Sequence, residues 1–265
     1  ESMEFKAAIF DLDGCLYRGE TPIEGASKAL EELREMGFKI MFLTNNATKT
    51  VEEYTDKLNR IGIKCQKEEV LTSGLATSIY LAEKYGSVKV LPIGGRALEE
   101  ELRRMRHTVL NLRENCEAEF VVACLDFDFN YEKLKNACQA IYRGAKFIAT
   151  NTDPTVPVEN QLIPGAGAIV AAISKATGRR PLVVGKPSRI IMKIALKKLG
   201  VKGCETVVVG DRLDTDVRAG WKIKALTVLV LTGATSLRDL ERWGGVKPNL
   251  VLKSVGELPE ALKRL

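Results

Sequence analysis

Short apolar runs of strand length alternate with longer segments of helical period along nearly the whole chain, and this alternation narrows its fold more than any other feature. Strands separated by helices come together in parallel, so the pattern predicts an α/β protein built on parallel sheets. Strands are expected at 7–10, 39–44, 70–72, 89–93, 120–125, 146–150, 182–184, 206–209 and 226–231. Helical periodicity covers 25–36, where Gly37 supplies a stop, and then 51–61, 75–85, 98–105, 131–142, 166–176, 190–199 and 257–265. No fixed-period repeat or low-complexity linker interrupts the series, so a domain division must come from the placement of motifs.

Composition excludes several classes. With 45% hydrophobic and 28% charged residues in 265, the chain reads as globular and not disordered. No apolar run reaches the roughly 18 to 20 residues of a membrane-spanning helix, so no membrane partner is expected. The charged start, Glu1 to Lys6, lacks the pattern of a signal peptide and implies a cytoplasmic protein. Six cysteines without CxxC spacing read as reduced thiols and assemble neither a zinc knuckle nor a redox dithiol. The 40 basic and 34 acidic residues are interspersed. The densest basic stretch, Arg103, Arg104, Arg106 and His107, has no interleaved aromatic residues, so it reads as a solvated helix end and no nucleic acid is expected.

The sharpest local feature is Asp11-Leu12-Asp13-Gly14, directly after the first strand. Two acids two residues apart on extended backbone point to one side, at the strand end where open α/β sheets bind ligands. A calcium loop fails because glycine belongs at its sixth position, whereas Gly14 is fourth. Strand 39–44 ends in Thr44-Asn45-Asn46, strand 206–209 leads into Gly210-Asp211-Arg212-Leu213-Asp214-Thr215-Asp216, and Lys186 follows the apolar run 182–184. Taken singly, these features also suit an Asx turn, a helix N-cap with first-turn acids, and a surface lysine. Their recurrence at strand ends favours one shared pocket. Converging Asp11, Asp13, Asp211 and Asp216 would repel one another unless a cation sat among them, and hard carboxylates without His or Cys select Mg²⁺. Mg²⁺ with Lys186 would leave a nearly neutral cluster able to accept an anion, with Thr44 and strand-end amides as donors. A phosphate fits that description.

These segments resemble the ordered motifs of the haloacid dehalogenase superfamily of phosphatases. The runs FLTNNATKT, ATNTDP, PGAGA, GKP and GDRLDTDV are most similar to its NagD and 4-nitrophenylphosphatase-like branch, from Ala7 to about Leu252. The resemblance implies a Rossmann-like parallel-sheet core with an inserted α/β cap. Residues 1–86 and 180–265 would form the core, with the cap at 87–179. It further implies an Mg²⁺-dependent phosphomonoester hydrolase of small phosphorylated metabolites. Asp11 would be the nucleophile forming an aspartyl-phosphate, and Asp13 the acid and then the base. Thr44, Lys186 and Asn45 would hold the phosphoryl group, beside Asn46. Asp211, the Asp11 side chain and the Asp13 carbonyl would ligate the metal, supported by Asp216. Asn151 and Asp153 are candidates for facing the site from the cap, with an Asx turn before Pro154 as the rival reading. Relatives pair cap to cap, which implies a homodimer.

The chain departs from the family's pattern at Cys15, where threonine or valine is usual, and at Lys224, where a helix-closing glycine is usual. A packed, inert thiol is expected at the first, and an effect on a local turn alone at the second. Two other chemistries through the same residues are a phosphotransferase or mutase and a receiver-like phospho-aspartate signalling module. Asp13 and the large insertion argue against the latter. Gly165-Ala166-Gly167 lacks the third glycine of a dinucleotide loop, and a single histidine with no GxSxG disfavours a serine triad.

Overall fold

The computed structural model describes residues 4–265, so residues 1–3 of the charged start lie outside it. The chain divides into two compact units. The first comprises the residues up to Thr44 together with 52–71 and 186–265, and the second comprises 45–51 and 72–185. Each is an α/β unit around its own parallel sheet.

The six-stranded sheet runs in the order Leu250–Leu252, Leu226–Val230, Thr206–Gly210, Ala7–Phe10, Lys39–Thr44, Val70–Thr72. Ala7–Phe10 is central and wholly buried, pairing in parallel with Thr206–Gly210 on one side and Lys39–Thr44 on the other. A strand flanked on both sides and covered on both faces must be apolar throughout, as Ala-Ala-Ile-Phe is. Helix Ala26–Glu35 buries Ala26, Ala29, Leu30 and Leu33, the period expected from the sequence. Each of the two leucines contributes about 2 kcal/mol through its burial. Gly37, at φ 90°, ends that helix as predicted.

The second unit holds a five-stranded parallel sheet in the order Leu182–Val183, Lys146–Ala149, Phe120–Ala123, Lys89–Ile93, Thr108–Val109. Its core gathers Leu91, Ile93, Val121, Phe147, Ile141 and Ile173, among others. Helix Ser73–Tyr85 belongs to this unit, as does Leu182–Val183, which pairs with Ile148 and Ala149. The unit therefore takes in 72–86 and 180–185, segments that sequence motifs alone group with the core. His107 is buried, with Nδ1 accepting from Val88 N at 3.2 Å and Nε2 lying 2.9 Å from the Ser78 carbonyl, so it serves as a structural tie.

Two hairpins, Tyr17–Arg18 with Thr21–Pro22 and Thr155–Val158 with Gln161–Pro164, escape the sequence pattern. The strands of the first are two residues long. The second is largely solvent-facing and carries Pro157 inside a strand, which weakens any strand signal. The short helix Leu237–Arg242 and the strand Leu250–Leu252 were likewise absent from the expected elements.

Lys224 closes the short helix Arg218–Lys222 at φ 62°, in the left-handed region that disfavours a side chain. It is exposed, so its side chain gains little packing in return. Lys224→Gly should stabilise the protein by roughly 0.5–1 kcal/mol, the relieved strain outweighing glycine's added unfolded-state entropy. Thermal unfolding should show a rise of about 2 °C, and a fall would refute the assignment of strain to this turn.

Candidate active site

Three neighbouring strands of the first unit end in polar residues. Asp11 follows Ala7–Phe10, with its backbone N–H donating to the Val209 carbonyl at 3.0 Å. Thr44 ends Lys39–Thr44, and Asp211 follows Thr206–Gly210. The ladder register sets Phe10 beside both Phe42 and Val209, so the residues after them emerge at one end of the sheet.

Lys186 reaches this end and binds it together. Its Nζ donates to Asp11 Oδ1 at 3.1 Å, to Asp216 Oδ1 at 2.8 Å and to the Leu43 carbonyl at 3.1 Å. Burial opposes its charge, but Asp11 and Asp216 outweigh that, so its pKa is raised and the ammonium stays protonated. Asp216 returns to the site through the wide turn Leu213–Val217, closed by an i to i+5 bond from Val217 N to the Arg212 carbonyl at 3.1 Å. Its Oδ2 accepts from Arg212 N at 3.1 Å, so both of its oxygens are engaged.

Asp211 is held differently. Oδ2 accepts from Ala234 N at 2.7 Å, whereas Oδ1 is the one buried side-chain polar atom without a hydrogen-bond partner among the described residues. A buried acceptor left unmatched costs about 1–3 kcal/mol, and more when charged. Backbone lies close around this carboxylate: a Cβ on Gly14 would come within 2.4 Å of Asp211 Oδ2. Gly14 also sits at φ +79°, so both the space and the conformation require glycine there.

Asp11, Asp211 and Asp216 each present one oxygen, and the three lie within 4.8 Å of one another. Three carboxylates and one ammonium sum to two negative charges, which a divalent cation would neutralise. Burial, followed by repulsion from Asp11, pushes Asp211 up to about 9 and Asp216 up to about 7. The orphaned Asp211 Oδ1, the all-oxygen donor set and the charge sum fit a hard divalent cation. The Asp13 carboxylate stands outside this trio, on an exposed residue bridged to Tyr17.

Behind Thr44, which is buried, the Tyr54 hydroxyl shares a hydrogen bond with its side chain. Burial and then Asp11 and Asp13 raise Tyr54's pKa against that bond, so the phenol is protonated. Lys57, also buried, stacks its Nζ 4.0 Å from the centroid of the Tyr17 ring. Tyr54, Lys57 and Ala234 carry no motif and were not foreseen. Only the helical period of 51–61 marks Tyr54, as an inward position. Cys15 is fully buried beside the Val209 carbonyl, and burial drives its thiol pKa well up, as expected for an inert packed cysteine.

The remaining candidates lie in the second unit. Asn45 Nδ2 donates to both Asp153 carboxylate oxygens at 3.3 Å. Asn151 is buried and its Oδ1 accepts from Thr150 Oγ1 at 3.0 Å. Asn46 Oδ1 accepts from Thr48 N at 2.9 Å and from Thr48 Oγ1 at 2.7 Å, an Asx turn that shapes the loop.

Two family models match the chain: haloacid dehalogenase-like hydrolase over residues 8–107, and HAD-hydrolase-like over 183–258. The chain belongs to the haloacid dehalogenase-like hydrolase family. Its relatives include an acid sugar phosphatase of Staphylococcus saprophyticus, 37% identical over 98% of this chain and 99% of the relative. Among solved structures, a p-nitrophenyl phosphatase from Archaeoglobus fulgidus superposes with a TM-score of 0.92 at 37% identity, covering 97% of this chain and 99% of that one. NagD from E. coli K-12 gives 0.88 at 32% identity, covering 96% and 98%.

The raised carboxylates make a pH prediction. Asp211 and Asp216 have folded pKa values above their ordinary 3.8, so their contribution to stability is fully present below that value and is lost as pH rises through about 7 and 9. Chelator-treated protein should therefore melt at a lower temperature at pH 8.5 than at pH 6, with ~ 2 °C or more between them. Added Mg²⁺ should reduce the difference, and equal melting temperatures with and without the cation would refute the assignment.

Proposed function

We propose that this enzyme hydrolyses phosphomonoesters of small metabolites with Mg²⁺, through a phosphorylated Asp11. The orphaned, buried Asp211 Oδ1 beside Asp11 carries the reading, because it is the atom a metal would satisfy. Phosphatase relatives aligned over nearly the full chain support it.

Asp11 Oδ attacks phosphorus in line as the ester oxygen departs, and Asp13 gives that oxygen its proton. Asp13, now a carboxylate, takes a proton from the water that attacks the aspartyl-phosphate, so inorganic phosphate leaves and both side chains return to their starting states. Exposure suits Asp13 to this exchange. Lys186 neutralises charge on the phosphoryl oxygens, and Thr44, its hydroxyl steadied by Tyr54, donates to one of them. Asp11, Asp211 and the Asp13 carbonyl would hold Mg²⁺, with Asp216 anchoring Lys186; the bound ion would supply charge stabilisation to the transferring group.

The second unit, with Asn45, Asn46, Asn151 and Asp153, would act as the cap that selects the leaving group. Pairing of two copies through it rests on the resemblance alone. All six cysteines are free, which suits a reducing compartment such as the cytoplasm.

Purified protein with Mg²⁺ should release phosphate from 4-nitrophenyl phosphate. Asp11→Asn, which keeps the shape but removes the nucleophile, should lower the rate by roughly 10³-fold or more. Activity within tenfold of the parent would remove Asp11 from the chemistry, and transfer to an added alcohol outpacing hydrolysis would favour a phosphotransferase.

A further inference from the structure

Two packed helices of the first unit carry cations and no acids. Helix Arg189–Leu199 carries Arg189, Lys193, Lys197 and Lys198 and no acid. Helix Arg218–Lys222 and the turn after it carry Arg218, Lys222 and Lys224, again with no acid. The two helices pack together, and Arg189 Nε donates to the Lys222 carbonyl at 3.4 Å. Taking these seven from the 40 basic residues leaves 33 against 34 acidic ones. The charges are interspersed along the sequence, which is why no nucleic acid was expected, but folding brings these two acid-free basic segments together on the first unit.

All seven side chains are exposed except that of Lys222, which is half-buried. Among the described residues Arg189, Lys193, Lys198, Arg218, Lys222 and Lys224 form no ion pair. Nearby acids are occupied: Asp214 pairs with Arg212 at 3.3 Å, Asp216 with Lys186 at 2.8 Å, and Glu205 with Lys6 at 3.0 Å. The strands packed against the helices, Lys39–Thr44 and Leu226–Val230, contain none. Burial, Arg218 and Arg189 together lower the Lys222 pKa, as expected of cations crowded without a counter-charge. The other basic stretch differs, since Arg103 pairs with Glu99 at 3.6 Å and Arg104 with Glu101 at 3.1 Å.

Trp221 lies on this ridge between Arg218 and Lys222 and is 56% exposed, the one exposed large apolar side chain on either helix among the described residues. A lone indole provides a face for stacking but no apolar surface for entering a bilayer, which takes several such side chains. An acidic peptide would satisfy the cations and leave the indole unused. Arg189 and Lys193 lie four residues apart, about 6 Å along one helix face, which suits successive phosphates of a linear polyanion. We infer that the Arg189, Lys193, Arg218, Trp221 and Lys222 ridge binds single-stranded nucleic acid, with phosphates on the cations and a base on the indole.

The test is fluorescence anisotropy of a labelled oligothymidine with the full chain over a salt series. Binding should weaken with salt at a logarithmic slope of roughly −2 to −3, as three or four phosphates are neutralised. Trp221→Ala should weaken it about 5- to 100-fold while hydrolysis of 4-nitrophenyl phosphate is unchanged. R218E with K222E should abolish binding, and R103A with R104A should leave it intact. The proposal is overturned if oligothymidine does not bind at low salt, or if Trp221→Ala binds like the parent. Equal binding of polyglutamate, or of phosphatidylserine vesicles, would overturn it in favour of a generic anion surface.

Discussion

The buried ammonium of Lys186 is the interaction on which the active end of the first unit depends. It touches the residue after one strand, a carbonyl in the next strand and an acid from the loop after a third. The backbone bond from Asp11 N to the Val209 carbonyl ties two of those ends, and Lys186 adds the side-chain tie that joins all three. Burying a charge is unfavourable by several kcal/mol per ion and is tolerated only with good geometry and satisfied hydrogen bonds. Lys186 has three donor protons and three acceptors at 2.8–3.1 Å, which meets that condition. Removing its amine would leave Asp11 and Asp216 uncompensated in the same space, a loss on the order of 3–5 kcal/mol.

Asp211 and Asp216, which follow strand Thr206–Gly210, divide their labour according to how they are held. Asp216 spends both oxygens on protein, one on Lys186 and the other on the Arg212 amide. Asp211 spends one, on the Ala234 amide, and keeps the other buried and unmatched. Gly14 makes room for that carboxylate, and Gly210 does the same for Asp216, since a Cβ there would lie 2.2 Å from the Asp216 carboxylate. Evidently the site is arranged to hold negative charge in place at a cost in stability that a cation would offset. A carboxylate that satisfied itself internally would be more stable and could not serve as a ligand.

Much of this was legible in the sequence because the chemistry clusters at strand ends. Asp11, Thr44, Asp211 and Asp216 each sit within a few residues of an apolar run, so local pattern and motif pointed to the same place. Tyr54 and Ala234 were not legible, since each acts through a contact with a residue distant in sequence or through its backbone amide. The two hairpins were missed because their strands are short, and in one case carry a proline. Leu182–Val183 was recognised as a strand but not its sheet: two residues identify an extended segment without naming its partner. Net charge was legible as a number and not as a location. Two helices with no acids come to share one cationic surface only once they pack side by side.

Several groups around Asp11 are nucleophiles by chemical type, and their surroundings decide which of them reacts. Lys186 is held as an ammonium by Asp11 and Asp216 and has no free electron pair. Cys15 is fully buried among carboxylates, so its thiol stays protonated and out of reach. Tyr17 and Tyr54 are buried near the same acids, which holds both phenols neutral. Burial first, and the neighbouring acids second, thus keep these thiol and phenol groups protonated. Asp11 is more open: its side chain is 16% exposed, against 4% for Lys186, and only one of its oxygens is engaged by the lysine. In the proposed reaction the other would meet the incoming phosphorus. The departure at Cys15, where threonine or valine is usual, is tolerated for the same reason, because burial leaves the thiol a packing residue.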